Sequence, residues 1–78
     1  MADAHFLDIT TQVCPLTFVR ARLALERLAP GTVLVIRLND GEPLENLPRS
    51  LAALGYRVVS VVAEADGARV HRLTVARD

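Results

Sequence analysis

The chain has 78 residues, enough for one domain (1–78) and too few for two independent cores. Nine arginines and no lysine balance nine acidic residues at zero formal charge, so the basic excess of a nucleic-acid binder is missing and lysine Schiff-base chemistry is excluded. The single cysteine excludes a disulfide scaffold and an internal Cys-x-x-Cys redox couple.

Met1 to His5 is polar and acidic, with no basic region leading into an apolar stretch, so no signal peptide is expected. The apolar runs fall far short of the roughly twenty residues a membrane span needs. The expectation is a soluble cytoplasmic protein with no membrane contact. Two Phe, one Tyr and no Trp mean an aliphatic core.

In chain order, Phe6 to Thr10 reads as a first strand. Thr11 to Val13 lead into Cys14 and Pro15, and Pro is favoured at the first position of a helix. Helix is predicted from Pro15 to about Ala29, with Phe18, Ala21, Leu25 and Leu28 as its apolar stripe and Val19 and Leu23 beside it. Arg20, Arg22, Glu26 and Arg27 take the remaining surface, and Pro30-Gly31 ends the helix.

Thr32 to Leu38 is a nearly continuous aliphatic strand closed by the turn residues Asn39-Asp40-Gly41. A short second helix is predicted with Asn46 as N-cap, Pro48 in its first turn, and Leu47, Leu51 and Leu54 as the buried stripe. Gly55 supplies the stop. Tyr56 to Ala63 and Val70 to Ala76 are strands joined by a hairpin at Asp66-Gly67. The expected fold is α/β (α+β): a two-layer βαβαββ sandwich whose mixed four-stranded sheet carries both helices on one face.

Cys14 is the residue with chemistry to offer. At a strand-to-helix junction its sulfur would meet helix amides that lack intrahelical partners, at the positive end of the dipole. A thiol there is favoured as thiolate, the reactive form. The dipole contributes about 0.3–1 kcal/mol, usually less than one unit below the ordinary thiol pKa of roughly 8.5. That suits a sulfur acceptor better than a protease-type nucleophile. On position alone the other reading stays open: free Cys is among the most buried residue types and serves as a small hydrophobe. His5 falls in a terminus expected to fray, and His71 reads as a partly buried residue of the last strand rather than as a base. One Cys and two scattered His show no metal-ligand spacing, so neither metal nor cofactor is expected.

Leu7-Asp8, Cys14-Pro15 opening a helix, Gly31 before an aliphatic strand, Asn39-Asp40, Asn46-Leu47-Pro48 and Gly55 occur in an order and at spacings that resemble the TusA/SirA-like family. The resemblance runs from Phe6 to about Val62 without a gap, and the family's βαβαββ fold agrees with the element order above. It implies a sulfur carrier that holds sulfur as a persulfide on Cys14. Such carriers take it from a cysteine desulfurase or rhodanese-like donor protein and pass it to an acceptor protein, in routes such as tRNA thiolation. Enzyme is then meant only in the sense of a sulfurtransferase. Two departures stand out: the family's usual Cys-Pro-x-Pro is here Cys14-Pro15-Leu16-Thr17, and Thr11 stands where Gly is usual. Thr17 restores an amide that Pro would lack and adds a hydroxyl near the cysteine. Arg20, where the family often has a basic residue, would steer an anionic sulfur or an acidic partner, and Asp8 would anchor the loop into Cys14. For both, an ordinary solvated surface role remains the alternative. The competing function is a non-catalytic binding or regulatory module of the same fold, docking through the sheet face that carries Val33, Val35 and Arg37. An independent enzyme such as a thiol peroxidase lacks a second cysteine and a base.

Overall fold

Strand β1 (Ala4–Asp8) pairs in parallel with β2 (Thr32–Asn39), with Phe6 opposite Val35. Helix α1 (Leu16–Arg27) connects them. Helix α2 (Glu42–Ala53) then leads to the antiparallel pair β3 (Arg57–Ala63) and β4 (Val70–Arg77). This is a computed structural model, and it describes residues 4–13, 16–65 and 67–78.

The sheet order is β1-β2-β4-β3, so the last strand lies inside, antiparallel to both neighbours. Burial follows that order. On β2, Leu34, Ile36 and Leu38 are buried while Val33, Val35 and Arg37 are half-buried on the other face, the period-2 alternation of a strand covered on one side. Leu73 and Val75 of β4 join them, together with Ile9, Ala21, Leu25, Leu47 and Leu51, in one aliphatic core beneath the two helices. The edge strand β3 contributes only Val58, packed at the core margin. A register shift between Val58 and Ser60 marks a bulge there. The mixed sheet with two helices is the architecture expected from the sequence.

Several local expectations need correction. The first strand lies two residues earlier than predicted, and His5 belongs to it, opposite Leu34, rather than to a frayed end. In α1 the buried line is Thr17, Ala21 and Leu25, with Phe18, Ala24 and Leu28 packed at its margin. Val19 and Leu23 are 42% and 46% exposed. At 100° per residue both point roughly 160° away from Ala21, beyond the reach of the sheet.

Asn46 is not the N-cap of α2. That position belongs to Gly41, at φ 83°, a left-handed conformation that side chains resist. The first helical bond runs from the Glu45 amide to the Gly41 carbonyl at 3.0 Å. Pro43 sits in the opening turn, and Glu42 and Glu45 complement the positive end of the helix dipole. Asn46 is therefore exposed inside the helix, and Pro48 is internal, depriving the Leu44 carbonyl of its donor. Leu47 and Leu51 are buried as expected, but Leu54 caps the helix and is 46% exposed. Gly55 stops α2 by donating its amide to the Ala52 carbonyl, while the Tyr56 amide reaches Leu51. This is the paired bonding of a Schellman motif.

Candidate functional site

The segment between β1 and α1 is held from both sides. Asp8, the last residue of β1, accepts hydrogen bonds at one carboxylate oxygen from the Thr10 amide (2.9 Å) and the Thr10 hydroxyl (2.7 Å). These two donors, the hydroxyl first, hold the Asp8 carboxyl below its usual range, and Arg37 adds to the effect. The Ile9 amide donates to the Arg37 carbonyl at 3.0 Å, extending the parallel ladder by one residue, and the Ile9 side chain is buried. The Gln12 amide returns to the Ile9 carbonyl at 3.0 Å. From the end of β2, the Asn39 carboxamide donates to the Thr10 carbonyl at 2.7 Å.

Thr11 shows no need for glycine. No non-glycine residue has positive φ among the described residues, so the loop follows a path open to any side chain. Val13, at the end of this segment, is 71% exposed. The Leu16 amide donates to the Val13 carbonyl at 2.8 Å, tying the loop to the first turn of α1. The expectations for Cys14 and Pro15 lie outside the described residues.

The other predicted residues separate into two clefts. Thr17 is 4% exposed and faces α2. It shares a cleft of about 50 Å³ with Phe18, Pro43, Asn46 and Leu47, between the opening turns of the two helices. Arg20 is exposed and lines a larger groove of about 390 Å³ with Leu7, Leu23 and Arg27, between α1 and the edge strand β1. Neither Arg20 nor Arg27 forms an ion pair among the described residues. No acidic residue stands in the first turn of α1 itself, although Glu42 of α2 also lines the cleft beside Thr17.

An ionic row crosses the uncovered face of the sheet beside the loop. Arg37 binds Asp8 at 3.2 Å and Glu64 at 2.5 Å, and Arg72 approaches Glu64 at 3.6 Å while lying 6.0 Å from the Phe6 ring centroid. Glu64, then Asp8, raises the affinity of Arg37 for its proton, so the guanidinium stays charged. Sequence reasoning missed Asn39 and Arg37 as partners of the loop. Asn39 read as a turn residue and Arg37 as an outward strand residue, and nothing local in the sequence signals a contact 29 positions away.

His71 is partly buried in β4, opposite Leu38 and Ala63. Its Nδ1 is buried without a hydrogen-bond partner among the described residues. Two strand spacings, roughly 10 Å, separate its strand from β1. Among the described residues, no group of three or more His, Cys, Asp or Glu could hold a metal ion, and no helix is long and apolar enough to cross a membrane.

Comparison with known proteins agrees with this architecture. A SirA-like protein from Desulfitobacterium hafniense superposes with a TM-score of 0.76, covering 94% of this chain and 95% of that one at 23% identity, which establishes the shared fold. A protein of Archaeoglobus fulgidus named "Putative sulfur carrier protein" is 36% identical over 55 residues, 70% of this chain and 62% of its own length. The Escherichia coli "Putative sulfur carrier protein TsuB" is 32% identical over 62 residues, covering 80% of this chain and 83% of that protein. The family described as Sulfurtransferase TusA matches residues 5–76, nearly the entire sequence, and the chain belongs to that family.

Proposed function

We propose that this chain is a cytoplasmic sulfur carrier that accepts sulfur as a persulfide on Cys14 and hands it to an acceptor protein. The observation that supports the reading is the family match over residues 5–76, a span that includes the chain's one cysteine. Relatives named as sulfur carriers support the same role.

The chemistry needs no oxidant. The Cys14 thiolate attacks the outer sulfur of a persulfide on a donor protein, and an S–S bond forms at Cys14 as the donor S–S bond breaks. The donor leaves as a thiolate, and the transferred sulfur keeps the proton or the negative charge. Attack by an acceptor nucleophile on that outer sulfur returns Cys14 to thiolate. A loop pinned at Thr10 and a first turn of α1 with no acidic residue of its own suit a site that must hold an anionic sulfur. Pro15 would start the helix beside it, Thr17 would seat the first turn against α2, and Asp8 would anchor the approach. Arg20 would steer an acidic partner toward the site. The donor is a desulfurase or rhodanese-like protein, and tRNA thiolation is one route such an acceptor serves.

The test is intact-protein mass spectrometry after incubation with a cysteine desulfurase and free cysteine. Wild type gains one sulfur atom, about 32 Da, and Cys14→Ser gains none. No gain on wild type removes the carrier reading. The uncovered sheet face, where Phe6 is 58% and Val62 59% exposed, would then be the working surface of a binding module.

A further inference from the structure

We propose that Asn39 is a positioning residue for Cys14, acting through the Thr10 carbonyl; the inference rests on the carrier reading and deepens it. Every hydrogen-bonding group of Thr10 is engaged: its amide and hydroxyl by Asp8, its carbonyl by the Asn39 carboxamide. Thr10 lies four positions before Cys14. Between them the Gln12 amide is returned to Ile9, whose own amide and side chain are fixed by β2 and the core. The approach to the cysteine is thereby tied to the ends of two strands at once, β1 through Asp8 and β2 through Asn39. Asn39 is half-buried at this contact, so water competes only weakly for the Thr10 carbonyl.

The chemistry of the contact is directional. The acceptor is a carbonyl, so the residue at 39 must donate. A carboxamide donates; an ionised carboxylate of the same shape accepts only, and would set a negative charge against the carbonyl oxygen. If Asn39 served only the turn into Gly41, Asp would do equally well, because both residues favour turns. Asn39→Asp therefore separates positioning from turn formation, and Asp40→Ala controls for disturbance of the same turn. The Asp40 side chain is exposed, and it is its backbone amide that bonds the Arg69 carbonyl at 2.6 Å.

The experiment measures the second-order rate of Cys14 with dithiodipyridine across pH, and separately the rate of sulfur loading from a desulfurase. All variants are held at a temperature where circular dichroism shows them folded. Losing one hydrogen bond that fixes the loop predicts Asn39→Asp and Asn39→Ala slower than wild type by about three- to tenfold in both rates. The pH profile of the thiol reaction should differ from that of wild type in both Asn39 variants, with Asp40→Ala matching wild type. The proposal is overturned if Asn39→Asp stays within about twofold of wild type, or if Asp40→Ala slows by the same factor. If wild type takes no sulfur from the desulfurase, the carrier reading falls, while the thiol rates still decide whether Asn39 positions the cysteine.

Discussion

Leu23 and Leu25 stand two positions apart in α1, and both belong to its apolar pattern, yet truncating them should have very different consequences. Leu25 is fully enclosed, on the buried line with Thr17 and Ala21, whereas Leu23 is 46% exposed. Leu25→Ala leaves a cavity in the aliphatic core, a change that costs about 2.7–5 kcal/mol at sites of this kind. Leu23→Ala removes a side chain about half as well covered and leaves no enclosed void. Half of the roughly 1.5–3 kcal/mol for a buried Leu is about 1 kcal/mol, and the better helix propensity of Ala recovers a few tenths. A domain of 78 residues has about 4–12 kcal/mol of stability in total, so the first change removes a large fraction and the second a small one. Urea denaturation followed by far-UV circular dichroism should show the midpoint falling steeply for Leu25→Ala with little change in slope. In thermal melts, at about 4–8 °C per kcal/mol, Leu25→Ala should lose more than about 10 °C and Leu23→Ala no more than about 6 °C. Equal losses at the two positions would refute the orientation of α1 on the sheet.

The Asp8 carboxyl should titrate below its ordinary value of 3.8, because the Thr10 hydroxyl and amide favour its charged form, with Arg37 adding to them. A folded pKa lower than the unfolded one means that the associated stability is complete above the unfolded value and is lost as pH falls through the folded one. Thr10→Val should raise the Asp8 midpoint in a carbon-detected NMR titration, and its stability deficit against wild type should close in acid; an unmoved midpoint contradicts the Thr10 contact. At the start of α2, Gly41→Ala should cost about 1–2 kcal/mol because φ 83° strains any side chain, even though no neighbour crowds the site. Asn46→Ala should cost less than about 0.5 kcal/mol, since Asn46 is an exposed interior residue and not the cap. A loss near 1 kcal/mol at Asn46, the usual cost of deleting an N-cap, would favour the later helix start.

Elements whose information is local were legible before the fold was known. The nearly continuous aliphatic run from Thr32 to Leu38 located β2, and Gly55 located the end of α2, because each depends on a residue's own backbone preference or on neighbours a few positions away. The start of α2 was misread although its signals were also local. Asn46-Leu47-Pro48 imitates a cap and first turn, and Gly41 with Pro43 does so equally well one turn earlier. The burial of Leu47 and Leu51 fits either start; what the fold adds is Leu44, packed against the core one turn before Leu47, a position that is helical only with the earlier start, and Pro48 is then left inside the helix.

From the amino-acid order alone came the element sequence, the aliphatic core, the family resemblance and the proposal of Cys14 as the reactive group. These rest on side-chain periodicity and on backbone rules that act over a few residues. The tertiary structure alone decided that β4 lies between β2 and β3, that Val19 and Leu23 face outward, and that Asp8 and Asn39 close on Thr10 from two strands. Each of these depends on contacts between residues far apart in the chain. Such contacts form only when the sheet assembles, because strand pairing and the sharing of one core are set by the total burial the whole chain achieves.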